Sequence, residues 1–414
     1  MEDKARFAVG IDVGTNFVRT VLGTVKGEEV SVIGYGEIPT EGMRRGVVKE
    51  LVPPAKAIDE CLAKVEGMSG VEVNHANVGI NGAHIGSTKI DGMIAVGVAE
   101  HEINEEDIVR IADTAIAGKV PANRETLALV PFEYILDGQG GIHEPLGMHG
   151  ARLELRANVV SALTPDCENL RKVCESAGIE PHGPFEPTSV AAARAVTNSA
   201  QRENGVGVVD MGGSTTSVAI FDEGELQFVG VIPIGSNDIT KDLATVLATI
   251  PDVAEEIKVR FVSAVREENE KDIVIKRGRE EFRFKRKEVE AVVDARLEET
   301  FEGIRKMLEY AGYDRRLPEG LVLCGGGAKL RNIDQFARRQ VKLAVRVAKP
   351  SGIIGVSEEI LKPEFATAIG LLLGDAERSD IDNMDSGSKK KKKAPKQKKG
   401  KEGSFFSRIF KLFK

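Results

Sequence analysis

The chain has 414 residues, 42% of them hydrophobic and 29% charged, enough for a sizeable core and for more than one domain. Cys61, Cys167, Cys174 and Cys324 are widely spaced with no CxxC pair, which excludes a disulfide frame or thiolate zinc site and reads as buried thiols of a reducing cytoplasm. The net charge of −7 divides unevenly: residues 389–414 hold 12 Lys/Arg and one acid, a local +11, on a body of −18, so a polyanion partner is expected for the tail alone.

The first residues lack a basic n-region followed by an apolar h-region, and no apolar run reaches the roughly 18 residues that span a bilayer. Neither a signal peptide nor a transmembrane helix is expected. Residues 7–13 form a short apolar run ending at Gly14-Thr15, and 17–24 and 30–38 follow as further strands, a meander around a tight turn. Pro53 and Pro54 open a helix over 52–66. A distinct block follows over 84–160: a β-like stretch, a helix starting at Asn104 as N-cap with Asp107 three positions on, and strands at 126–137 and 152–163. This order suits a small inserted α+β subdomain. A helix over 165–178 ends at Gly178, and a small-residue helix is expected over 188–200. Strands at 206–211, 216–222 and 226–234 repeat the opening theme. A polar hairpin at 276–286, a long amphipathic helix at 287–310, a strand at 320–324 and a last helix at 364–374 complete the folded body. From 376 the sequence becomes a Lys/Gly/Ser/Pro linker.

Three glycine turns carry the chemistry. Gly10-Ile11-Asp12-Val13-Gly14-Thr15-Asn16 recurs in altered form as Val208-Val209-Asp210-Met211-Gly212-Gly213-Ser214-Thr215-Thr216. Each copy is an apolar strand, an acid, then glycine among hydroxyl or amide residues. Glycine lets backbone N–H groups approach phosphate oxygens, and Asp12 and Asp210 suit Mg²⁺ held largely through water. The bland alternative is a pair of β-hairpins whose turns need Gly and Asp; two copies joined by a third turn argue against it. That third turn, Cys324-Gly325-Gly326-Gly327-Ala328-Lys329, lets a flat base or ribose lie against backbone, and matches neither a P-loop nor a dinucleotide fingerprint.

This trio resembles the actin, sugar-kinase and heat-shock-chaperone ATPase superfamily over residues 1–375. Glu100-His101-Glu102-Ile103-Asn104-Glu105-Glu106-Asp107, Asp137-Gly138-Gln139-Gly140-Gly141-Ile142, Pro145-Leu146-Gly147-Met148 and Ala254-Glu255-Glu256-Ile257-Lys258 narrow it to the bacterial cell-division FtsA family. The resemblance implies an α/β, two-lobed actin-like ATPase fold, with a basic tail expected to be disordered and to end in an amphipathic helix. Residues 1–83, 161–200 and 350–375 would form the first lobe, with 84–160 inserted. Residues 201–249 and 311–349 would form the second lobe, with 250–310 as its partner-binding part. Residues 376–402 would be the linker and 403–414 the membrane-targeting helix. The implied ligands are ATP and Mg²⁺, with little or no hydrolysis. Implied nucleotide contacts are Asp12, Gly14, Thr15, Asn16, Asp210, Gly212, Gly213, Ser214, Thr215, Gly235, Glu255, Lys258, Gly325, Gly326, Gly327 and Lys329, the two aspartates serving the metal. Implied partners are the C-terminal peptide of the tubulin-like protein FtsZ, other copies of the chain in filaments, and other division proteins, at the cytoplasmic face of the membrane at the division site. Two departures stand out: Phe17 where the family usually has Lys, and Phe261-Val262 where Tyr-Gly usually follows the AEEIK motif.

The tail decides the polyanion. On a helical wheel Phe405, Phe406, Ile409, Phe410, Leu412 and Phe413 fill one arc of roughly 160°, with Ser404, Ser407, Arg408, Lys411 and Lys414 on the rest. Apolar bulk beside cations suits an interfacial helix on anionic lipid. No base-stacking module accompanies the lysines, so nucleic acid is not expected. Arg283, Arg286 and Arg296 are the candidate contacts for an acidic partner peptide. A small-molecule kinase or a pilus-assembly adaptor resembling PilM is the alternative, and the lipid-seeking tail argues against both. The six histidines show no zinc spacing.

Overall fold

The computed structural model describes residues 6–98, 100–266, 271–355 and 358–388, with side chains through 378. One topology occurs twice. Strands Arg6–Val13, Phe17–Lys26 and Glu29–Pro39 form an antiparallel meander. Arg6–Val13 then pairs in parallel with His75–Ile80, which carries Glu180–Pro181 and Glu186–Pro187 beyond it. In the second lobe Val206–Met211, Thr216–Asp222 and Glu225–Ile232 form the meander, and Leu321–Cys324 and then Val345–Val347 continue in parallel. Strands at the centre of such sheets are covered on both faces and read as unbroken apolar runs; every residue of Val206–Met211 is buried.

Helices Val52–Ser69, Thr188–Val196 and Ala366–Ser388 build the first core, with Ile11, Leu22, Ile58 and Ile369 fully buried in it. The second core gathers Val209, Ile220, Phe301 and Leu323 under helix Arg286–Ala311. The segment expected as one helix over 188–200 breaks at Thr197, and Asn198 caps a separate helix, Ser199–Asn204, by accepting from the Gln201 N–H. Sequence reading also missed strand His75–Ile80 and helices Ser236–Val246 and Pro251–Phe261.

The inserted block has strands Gly86–Ala95, Arg124–Leu136, Gln139–Ile142 and Arg152–Leu163, with helix Glu105–Ile116 laid on them. Ile90, Ile111, Leu129, Leu153 and Leu155 form its own core. Its sheet is nevertheless continuous with that of the second lobe. Gly230 pairs with Gly86, and the Ser87 hydroxyl accepts from Val229 N–H at 2.8 Å. The edge strand of the second lobe is thereby covered.

One boundary is corrected. The last helix does not stop near 374, nor does a linker start at 376: the helix runs from Ala366 to Ser388. Ala376 is buried, and Arg378 donates to Asn77 Oδ1 at 3.0 Å and to the His182 carbonyl. The lysine run from 389 and the apolar arc of Phe405, Phe406, Ile409, Phe410, Leu412 and Phe413 lie outside the described residues. Among the described residues no helix is long and apolar enough to cross a membrane.

Candidate functional site

The duplicated meanders place their turns face to face. Gly14 N–H donates to the Phe17 carbonyl at 3.0 Å, and Gly212 N–H to the Thr215 carbonyl at 2.8 Å, so the two hairpins close in the same way. The same register sets Asp12 opposite Arg19 and Asp210 opposite Ser217. The third turn enters from the end of Leu321–Cys324. Gly325 has φ of 81°, and a Cβ there would sit 2.4 Å from Asp210 Oδ1, so no other residue fits. A Cβ on Gly235 would lie 2.6 Å from the Gly213 carbonyl oxygen. Backbone therefore forms much of the wall.

Between the turns lies a cavity of about 430 Å³. Asp12, Gly14, Thr15, Asn16, Asp210, Gly212, Gly213, Thr215, Gly235, Glu255, Lys258, Gly325, Gly326, Gly327 and Lys329 all line it. Ser214 does not; it is buried within its turn, its N–H close beneath Gly235. Asn81, at the end of His75–Ile80, ties the lobes together: its amide donates to Thr215 Oγ1 at 3.2 Å and accepts from Ser217 Oγ at 3.1 Å. Across the mouth Asn16 and Asn237 exchange amide hydrogen bonds of 2.9 and 2.7 Å.

The floor is acidic. Burial pushes the Asp12 carboxyl up to about 7; Arg19 opposes the shift and neighbouring Asp210 adds to it. Burial likewise raises Asp210, moderated by a hydrogen bond from Thr188, the Arg19 charge and a 3.5 Å contact from Thr367 Oγ1. Two such carboxylates favour a cation between them. Among the described residues no group of three or more His, Cys, Asp or Glu side chains is placed to hold a metal. The pair fits Mg²⁺, which keeps several waters and takes one or two carboxylates with phosphate oxygens. On the opposite side Lys258 meets Glu255 Oε2 at 2.7 Å, Thr240 Oγ1 at 2.9 Å and the Ser236 carbonyl at 3.2 Å. Lys329 meets Glu364 Oε1 at 2.7 Å.

Sequence reading missed Arg19, Asn81, Thr188, Glu364 and Thr367 as lining residues. Asn81-Gly82 after an apolar run is a turn signal that could have marked one of them; the threonines carry no local signal. The three candidate partner-binding cations are not gathered into one pocket. Arg283 pairs with Glu281 at 2.6 Å, and Arg286 donates to the Lys271 and Phe261 carbonyls. Arg296 lies about 15 Å further along the helix, bound to Asp242 at 2.6 Å and Glu299 at 2.6 Å.

The family model described as cell division protein FtsA matches residues 207–370, and that of the SHS2 domain inserted in FtsA matches 82–161. Cell division protein FtsA of Pseudomonas aeruginosa is 33% identical over 373 residues, covering 89% of each chain. That of Neisseria meningitidis is 32% identical over 378 residues, covering 90% of this chain and 91% of the relative. Among solved structures, a PilM–PilN type IV pilus biogenesis complex aligns with TM-score 0.65 at 18% identity, over 89% of this chain and 98% of that one. MreB5 of Spiroplasma citri bound to ADP aligns with TM-score 0.54 at 15% identity, over 93% of this chain and 98% of that one. These two likenesses establish the actin-like fold. The sequence relatives, the inserted SHS2 domain and the fold together make the chain a member of the FtsA family of actin-like cell-division proteins.

Proposed function

We propose that the chain binds Mg-ATP between its lobes and tethers FtsZ filaments to the cytoplasmic face of the membrane at the division site, assembling with its own copies as it does so. The observation that carries the nucleotide half is the opposed pair of Asp–Gly hairpins with a third glycine turn closing one cavity. MreB5 structures holding ADP and AMPPNP support that reading. Slow hydrolysis is the expectation. FtsZ capture rests on family membership and on the basic stretch at 276–287, the hairpin and the start of the long helix.

The membrane half rests on the tail sequence. A helix of 12 residues is marginal in water, so ordering of 403–414 is coupled to burial of its apolar arc at a bilayer. The lysines add a salt-sensitive attraction to anionic lipid and the Phe/Ile/Leu face a salt-insensitive one. The test is co-sedimentation of the full chain with FtsZ and anionic liposomes. The parent should carry FtsZ into the pellet; Phe406→Glu with Phe410→Glu should leave both in the supernatant while ATP binding persists. A double variant that pellets as well as the parent would remove the tail as the anchor.

A further inference from the structure

The tips of the first two glycine turns meet through a pair of amides. Asn16 ends the first-lobe turn and borders the cavity, whereas Asn237, in the first turn of helix Ser236–Val246 on the second lobe, does not border it. Nδ2 of Asn16 donates to Oδ1 of Asn237 at 2.9 Å, and Nδ2 of Asn237 donates to Oδ1 of Asn16 at 2.7 Å. Each amide thus gives one N–H and its oxygen to the other, closing a ring of two hydrogen bonds. The backbone under each residue is held by its own lobe. The Asn16 carbonyl accepts from Thr40 N–H at 3.0 Å, and Asn237 N–H donates to the Gly213 carbonyl at 2.7 Å. Gly213 lies directly against the pair: a Cβ there would stand 2.8 Å from Asn16 Nδ2. Other ties between the lobes are set deeper. Asn81 with Thr215 and Ser217, and Lys329 with Glu364, are part-buried, and Thr367 meets Asp210 in a buried contact. The Asn16–Asn237 pair is exposed. Water can replace exposed neutral hydrogen bonds, so this tie opens at lower cost than the buried ones.

We infer that the Asn16–Asn237 pair is a clasp across the mouth of the cleft, setting how fast nucleotide enters and leaves. The inference rests on the nucleotide reading above and concerns exchange at that site. Parting the two turns at the mouth breaks both hydrogen bonds at once, and the cost falls on entry and on release alike. The held backbones bring the two amides back into register when the turns close over a ligand, so the pair re-forms. Its energy then stands in the barrier and cancels from the affinity. Short side chains suit this role, because little rotamer freedom is lost each time the pair closes.

The experiment is stopped-flow binding of a fluorescent ATP analogue in Mg²⁺, followed by a chase with unlabelled ATP, on the full chain and its Asn237→Ala variant. Losing two neutral hydrogen bonds from the barrier should raise the association and release rates together, by about tenfold each. The affinity, their ratio, should stay the same. Unchanged rates in Asn237→Ala, with a parent that binds the analogue, overturn the clasp alone. Faster release with unchanged association also overturns it, since Asn237 would then stabilise the bound state and not gate it. Faster association with unchanged release overturns it as well, because the pair would be a plug that the ligand displaces. A parent that binds no analogue and no ATP refutes the nucleotide reading itself, and the clasp with it.

Discussion

Asp12 and Asp210 occupy equivalent points of a duplicated hairpin, yet their settings differ. Asp210 is more deeply buried and accepts from Thr367 at the start of the last helix, while Asp12 faces Arg19. A divalent cation between them would relieve the charge that burial penalises at both. Asp210→Asn keeps the volume and a hydrogen-bond acceptor but removes the charge. Its affinity for ATP should fall about tenfold in Mg²⁺ and change little in EDTA, measured by calorimetric titration. Equal affinity in Mg²⁺ for parent and variant would detach Asp210 from the metal. The aspartates and glycines of this site were legible in the sequence because each belongs to a short local pattern. Arg19 was not. Its position depends on cross-strand register with Asp12, and its guanidinium lies over the ring of Phe365, from the far end of the chain.

Elements with strong local signals formed where the sequence placed them. The helix Glu105–Ile116 has both halves of a capping box: the Asn104 side chain accepts from Glu106 and Asp107 N–H, and Asp107 accepts from Asn104 N–H. Asn104→Ala should cost about 1 kcal/mol, read as a lower urea midpoint at pH 7. An unchanged midpoint would mean that docking on the sheet, not the cap, fixes this helix start. The cap also sets an acid limit. Burial raises the Asp107 carboxyl, but hydrogen bonds from His101 and Asn104, with the charges of His101 and Arg110, hold it below the usual range. Its folded value is depressed, so its contribution is present above about pH 4 and is lost as pH falls through the lower folded value. Elements without such signals were invisible. Helix Ser236–Val246 buries only Ile239 and Leu243, too sparse a stripe to announce a helix.

At the scale of the whole molecule the last helix joins the cleft to the tail. It begins at Ala366, next to Thr367, which contacts Asp210, and ends at Ser388, one residue before the lysine run. Hydrophobic spacing placed its end near 374 because the residues beyond are polar, and polar residues read as exposed. Here they are paired, and Asp375 is buried. Asp375 accepts from Val9 N–H at 2.9 Å and meets His182 Nδ1 at 2.8 Å. Glu377 accepts from Arg194 Nε at 3.1 Å. The Arg378 side chain, 12% exposed, lies 3.7 Å from Glu186, itself 1% exposed. Arg194 shares that carboxylate, so two cations face Glu186 in the core. A chain ending at 375 removes Arg378 and the Glu377 partner of Arg194 while leaving Glu186 in place. Breaking such a buried network should cost about 3 kcal/mol, partly spared by the remaining Arg194 contact. A chain ending at 388 keeps every one of these contacts. The urea midpoint of 1–388 should therefore match that of the full chain, and the midpoint of 1–375 should fall well below it. Both truncations lack the apolar arc and should leave liposomes unbound, so only stability separates them. Equal midpoints would show that the polar end of the helix contributes nothing, and that the folded body stops where the apolar spacing does.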